Sequence, residues 1–244
     1  MIEQAKKQLI FALDVETLAE AEAWVRRLRG QVGVFKVGKQ LFTRCGPDAV
    51  KMIQDRGGRV FLDLKYHDIP NTVAKACLEA AKLGVAMFTL HSLGGREMMT
   101  AAAAVLDEMF AANPQGRPLS LAVTILTSMN EDSLREVGVE FPPAEIVPRL
   151  ALLARQSGMA GVVASPQETP VIRQACGKDL VIVTPGVRPA SAATDDQKRV
   201  ATPYQAILSG ADYLVVGRPI SKSADPAATA DAIAEEMARA FADR

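Results

Sequence analysis

A single-domain α/β fold, the (β/α)8 or TIM barrel, is what the sequence predicts, and three observations carry the prediction. Eight short apolar runs, suited to strands buried on both faces, alternate along the chain with amphipathic stretches of helical length. Chemically active residues gather at the carboxyl ends of those runs: Asp14, Lys36, Asp63 with Lys65, His91, Thr127, Pro185-Gly186 and Gly217-Arg218. That is the face on which such a barrel builds its site. Finally, the 244 residues, 49% of them hydrophobic, suffice for one barrel and its core, and no linker, low-complexity segment or charge block divides them. One catalytic domain over residues 1–244 is expected.

The elements follow in order. Gln8 to Asp14 is an apolar run ending in an acid, and the amphipathic stretch Thr17 to Leu28 follows with Thr17 as N-cap. Val32 to Val37 is the second strand, and Gly46-Pro47-Asp48 opens a helix reaching about Arg56. Arg59 to Lys65 is the third strand, with a helix from near Pro70 through Lys82. Met87 to His91 is the fourth, followed by Gly94-Gly95 and an alanine-rich helix from Glu97 to Ala111. After the turn cluster Asn113 to Pro118 come a fifth strand, Leu119 to Leu126, and helices at Asn130 to Val137 and Ala144 to Gln156. Gly161 to Ala164, Leu180 to Thr184 and Asp212 to Val216 complete the eight strands, with helices at Pro166 to Ala175, Pro203 to Ser209 and Pro226 to Phe241.

Composition narrows the function. Twenty-eight basic and 28 acidic residues give 28 − 28 = 0, which argues against the basic surface that nucleic acid would need but leaves room for a local anion site. Cys45, Cys77 and Cys176 are scattered and odd in number, and two histidines are too few to join them, so neither a zinc site nor a disulfide framework is expected. The lysines near the N-terminus lead into a short apolar run and then an acidic segment without a cleavage signal, and no apolar run approaches the roughly 20 residues that span a bilayer. The expectation is a soluble cytoplasmic protein with no membrane partner.

The most informative stretch is Arg59 to Thr72, RVFLDLKYHDIPNT. A buried strand here delivers Asp63, Lys65 and Asp68 within six residues. Strand side chains alternate, so Asp63 and Lys65 point the same way. A carboxylate and an ammonium sharing a site each favour the other's charged form. That pattern fits either a structural ion pair or an active site, and the following Ile-Pro-Asn-Thr favours the site. The second informative region runs from Val183 to Arg218. It contains TPGVRP, a long polar segment carrying Gln197, and the strand end VVGRPI. Loops after strands seven and eight of such barrels bind phosphate through accessible backbone N–H groups and a forked donor, which Gly217, Arg218 and Arg188 could supply. His67 and His91 are read as loop or rim residues, since neither has an oriented partner in view.

Taken together, FALDV, FKVG, FLDLKYHDIPNTV, TILTS, TPGVRP, DDQKRVATP and DYLVVGRPI resemble the orotidine 5′-phosphate decarboxylases of the short bacterial type, from Asp14 to Ile220. The resemblance implies cofactor-free and metal-free loss of CO2 from C6 of orotidine 5′-monophosphate, giving UMP, with Lys65 as proton donor and Asp63 and Asp68 flanking it. It further implies that Asp14 and Lys36 contact the ribose, with Lys36 also joining the catalytic chain of charges Asp63-Lys65-Asp68, that Thr127 and Pro185 contact the base, and that Arg188, Gln197, Gly217 and Arg218 grip the phosphate. Asp68 and Thr72 would reach into a neighbouring subunit's site, which implies a homodimer with shared active sites. The alternative is a magnesium-dependent sugar-phosphate aldolase or decarboxylase of the related barrels. Those relatives carry a metal-binding Glu after strand two, where this sequence has Lys36. A third reading is a binder of phosphate ligands that has kept the barrel without catalysis.

Overall fold

The computed structural model describes residues 1–188 and 201–244. Its elements, in chain order, are α1 (Ile2–Gln8), β1 (Leu9–Ala12), α2 (Leu18–Arg27), β2 (Val34–Gly38), α3 (Lys39–Cys45), α4 (Pro47–Asp55), β3 (Arg59–Tyr66), α5 (Pro70–Lys82), β4 (Met87–His91) and α6 (Gly95–Met109). The second half has β5 (Leu119–Val123), α7 (Glu131–Glu136), α8 (Pro143–Gln156), β6 (Gly161–Val163), α9 (Thr169–Cys176), β7 (Val181–Pro185), α10 (Pro203–Leu208), β8 (Tyr213–Val216), α11 (Arg218–Ser221) and α12 (Pro226–Asp243). The eight strands pair in parallel in sequence order and β8 returns to β1, so the sheet is a closed barrel.

Strand alternation divides the core in two. Inward-facing Ile10, Val34, Phe61, Met87, Leu121 and Val183 fill the barrel. The other face of the same strands, through Phe11, Phe35, Leu62, Phe88 and Ile182, packs against the helices. Each large side chain buried this way contributes about 1.5–3 kcal/mol relative to exposure. The two apolar faces explain why the strands read as near-continuous hydrophobic runs. At Gly161 on β6 the neighbouring strand comes so close that a Cβ would lie 2.3 Å from the Val181 carbonyl oxygen, so the position excludes any side chain.

Local signals set the helix starts. Thr17 caps α2 in a reciprocal box: its hydroxyl accepts from the Glu20 N–H at 3.2 Å, and the Glu20 carboxylate accepts from the Thr17 N–H at 3.0 Å. Pro70 occupies the first turn of α5, and Asp225 accepts from Ala227 and Ala228 to start α12.

The structure differs from the sequence expectation at three short helices and one strand. α1 and α3 have neither a side-chain cap nor a first-turn proline, and α11 is only four residues long, so each lacks the signal by which it would have been read. α1 is held to α12 by Lys6 and Asp231 at 2.7 Å. β5 ends at Val123 rather than Leu126, because Ile125 and Leu126 line a cleft instead of continuing the sheet. Among the described residues no helix is long and apolar enough to cross a membrane.

Candidate active site

The inward positions at the carboxyl end of the barrel change from apolar to charged on β2 and β3. One step above Val34 lies Lys36, and one step above Phe61 lies Asp63. Their register, Lys36 opposite Phe61 and Gly38 opposite Asp63, sets the lysine ammonium beside the carboxylate. Lys36 Nζ lies 3.6 Å from Asp63 Oδ2 and 3.5 Å from Asp14 Oδ1. Lys65 Nζ donates to Asp63 Oδ1 at 2.8 Å. Burial alone would raise the Asp63 carboxyl, but Lys36, then Lys65, and the hydrogen bonds from Lys65 and Thr89 outweigh it and hold the group below its ordinary value.

Lys65 reaches Asp63 by a route that plain alternation does not describe. β3 and β4 pair as Leu62 with Phe88 and then as Tyr66 with Leu90, so Asp63, Leu64 and Lys65 face the single residue Thr89. The chain absorbs this irregularity at Lys65, whose φ of 55° is the one left-handed non-glycine backbone among the described residues. Such a conformation costs about 1–3 kcal/mol and persists only where the surroundings over-determine it. Here the Lys65 N–H is received by Thr89 Oγ1 at 2.9 Å, and the same hydroxyl donates to Asp63 Oδ1 at 2.9 Å. Thr89 is fully buried. Sequence reasoning missed it, because a threonine in an apolar strand is an ordinary β-former and its partners lie 24 and 26 residues away.

These groups line a cleft of about 240 Å3 at the carboxyl face. Asp14, Lys36, Asp63 and Lys65 form one wall, Val123, Val163 and Pro185 stand across the barrel from them, and Val215 on β8 lies beside β1. Thr127, Arg188, Gly217 and Arg218 also line it, so nine of the expected site residues meet in one place. Arg188 is 8% exposed, and its N–H is held by the Ala201 carbonyl at 3.0 Å, a bond that ties the end of β7 to the chain entering α10. Gly217 is close-packed: a Cβ there would lie 3.3 Å from that of Ala12 and 3.5 Å from Asp14 Oδ2.

Two expected residues are not brought to this cleft within one chain. Asp68 is exposed and accepts from the Ile69 N–H at 2.6 Å, and Thr72 lies exposed in the first turn of α5. Gln197 lies outside the described residues. His67 and His91 stack with ring centroids 5.6 Å apart. Burial, followed by the charges of His67, Lys65 and Lys39, pushes the His91 imidazole down to about 4, so it is neutral near pH 7. Among the described residues no three His, Cys, Asp or Glu side chains are grouped to hold a metal ion.

A closed barrel whose carboxyl face carries a half-buried, hydrogen-bonded lysine–carboxylate cluster defines the class of (β/α)8 enzymes. Residues 7–233 match the model of the orotidine 5′-phosphate decarboxylase / HUMPS family, and the chain belongs to that family. A relative from Syntrophotalea carbinolica named orotidine 5′-phosphate decarboxylase is 64% identical over 241 residues, covering 99% of both chains. One of the same name from Geotalea uraniireducens is 59% identical over 235 residues, covering 96% of this chain and 97% of its own. The crystal structure of orotidine 5′-phosphate decarboxylase from Lactobacillus acidophilus is similar with a TM-score of 0.82 and 39% identity, covering 94% of this chain and 98% of that one.

Proposed function

We propose that this protein decarboxylates orotidine 5′-monophosphate to UMP and CO2, the last step in building the pyrimidine nucleotide. The observation that carries the reading is the Lys65 ammonium held against Asp63 inside the barrel mouth. Loss of CO2 breaks the C6–carboxyl bond and leaves its electron pair in an in-plane orbital at C6, which the ring delocalises poorly. The reaction therefore needs fixed positive charge beside C6 and a proton to deliver there. Lys65 supplies both: its ammonium stabilises the developing carbanion and then transfers a proton to C6. Asp63 keeps that ammonium charged and aimed. Lys36 and Asp14 contact the ribose, Thr127 and Pro185 the base, and Arg188, Gln197, Gly217 and Arg218 the 5′-phosphate. Gathering most of these residues in one cleft supports that division of roles.

The same proposal includes a cytoplasmic homodimer in which Asp68 and Thr72 of each subunit complete the other's site. Their exposure in the single chain supports this, since neither is engaged in its own cleft. The magnesium-dependent aldolase reading is disfavoured by Lys36, an ammonium where that chemistry needs a ligand. The test is to follow the loss of orotate absorbance with orotidine 5′-monophosphate in the presence of a chelator. Turnover that survives chelation is expected. No turnover, or turnover that returns only with magnesium, overturns the assignment.

A further inference from the structure

We propose that Thr89 is a positioning residue of the decarboxylation, holding Lys65 and Asp63 in their working geometry through one hydroxyl that serves both. The inference rests on the functional reading above and goes beyond it, because Thr89 does not line the cleft. A hydroxyl has one O–H to donate and two lone pairs to accept with. At Thr89 the donor is spent on Asp63 Oδ1, 2.9 Å away, and a lone pair receives the Lys65 backbone N–H, also at 2.9 Å. The threonine therefore ties the carboxylate and the backbone of the residue that carry the chemistry to the rigid β4 strand.

The surroundings explain why such a tie is needed. Between the pairs Leu62–Phe88 and Tyr66–Leu90, three residues of β3 face one of β4, so regular pairing does not set the place of Lys65. The left-handed Lys65 backbone would relax to a commoner conformation unless held. Asp63 Oδ1 meanwhile accepts from both Lys65 Nζ and Thr89 Oγ1, which fixes the carboxylate rotamer toward the ammonium. Valine at position 89 would keep the branched shape and burial while removing both hydrogen bonds. Serine would keep the hydroxyl and lose only a methyl group.

The experiment compares wild type, Thr89→Val and Thr89→Ser, each first checked for folding by circular dichroism. With orotidine 5′-monophosphate, Thr89→Val should lose roughly 10–100-fold in kcat, the worth of a hydrogen bond to a charged group, with KM little changed. Thr89→Ser should recover most of the loss. A second measurement needs no substrate: titration of the Asp63 carboxyl by 13C NMR in aspartate-labelled protein. Its midpoint should rise in Thr89→Val and return toward wild type in Thr89→Ser. Folded Thr89→Val with wild-type kcat, an equal rise in KM and fall in kcat in both variants, or an unmoved Asp63 titration would overturn the positioning role. Should wild type itself fail to turn over the nucleotide, the functional reading falls, and the carboxyl titration still decides whether Thr89 holds Asp63.

Discussion

Replacing Asp63 by asparagine removes the anion between two ammonium groups while keeping the side chain's shape. Lys65 Nζ lies 2.8 Å from one carboxylate oxygen and Lys36 Nζ 3.6 Å from the other. At an effective dielectric of about 20 these attractions are worth roughly 6 and 5 kcal/mol before desolvation. Desolvation offsets much of that, and removing one member of a buried pair typically costs about 3–5 kcal/mol. The amide oxygen of asparagine can still accept one hydrogen bond, so about 3 kcal/mol is expected. In a chain of this size that lowers the melting temperature by about 6–12 °C. Because the folded carboxyl is held below its ordinary value, it stays ionised where the unfolded chain begins to take up protons. Its stabilisation is therefore complete above the unfolded value of about 3.9 and drains away as pH falls through the depressed folded value. Thermal or denaturant unfolding of wild type and Asp63→Asn from pH 8 to pH 3 should show a constant gap down to about pH 5 that narrows below about pH 4. A gap under 2 °C at neutral pH, or one that widens on acidification, would refute this account of the cluster.

Three further outcomes are expected. Mixing Lys65→Ala with Asp68→Ala protein should restore turnover that neither has alone, because a mixed dimer rebuilds one intact site; activity no higher than the sum of the two parents would refute the shared site. Arg173 donates to the carbonyls of Gly177, Leu180 and Gly210 and pairs with Asp212, clamping the starts of β7 and β8, so Arg173→Ala should lose about 3–5 kcal/mol by denaturant unfolding while kcat at low temperature is kept. Burial keeps His91 neutral in the folded chain down to about pH 4, whereas an unfolded histidine charges near 6.5, so stability should fall as pH drops from about 6.5 toward 4. His91→Asn should flatten that part of the unfolding curve, and 15N NMR should show the wild-type imidazole neutral at pH 5.

Where a residue's neighbours are close in sequence, the sequence was legible. The helix from Pro70 to Lys82 and the strand from Met87 to His91 have the expected bounds, since proline at a helix start and a short, nearly unbroken apolar run are local signals. α1 and α3 have neither a side-chain cap nor a first-turn proline, and α11, which has the proline, is only four residues long, so none of the three gave a readable signal. Leu126 was expected to end a strand because hydrophobicity does not distinguish a sheet position from a cleft wall. Lys36, Asp63 and Lys65 were placed by strand period and motif, yet the backbone that delivers Lys65 depends on a register between strands 24 residues apart. Thr89 belongs to the same class of residue, visible only once β3 and β4 are paired.

The apolar wall that faces Asp14, Lys36, Asp63 and Lys65 follows from the closed strand order. Asp14, Lys36, Asp63 and Lys65 enter from β1, β2 and β3, and the closed barrel sets the ends of β5, β6 and β7 across from them, where the inward positions are Val123, Val163 and Pro185, while Arg188 and Arg218 enter after β7 and β8. A wall of valines cannot solvate the charges opposite it, so the ammonium of Lys65 acts in a medium of lower dielectric than water, where each interaction with a developing negative charge is stronger. The same medium makes an unpaired ammonium costly, which is why Asp63 must sit beside it with both oxygens engaged. Positive charge strong enough to stabilise a carbanion and a carboxylate close enough to keep that charge in place are thus a single requirement. The irregular turn of β3 at Lys65 meets it within three residues.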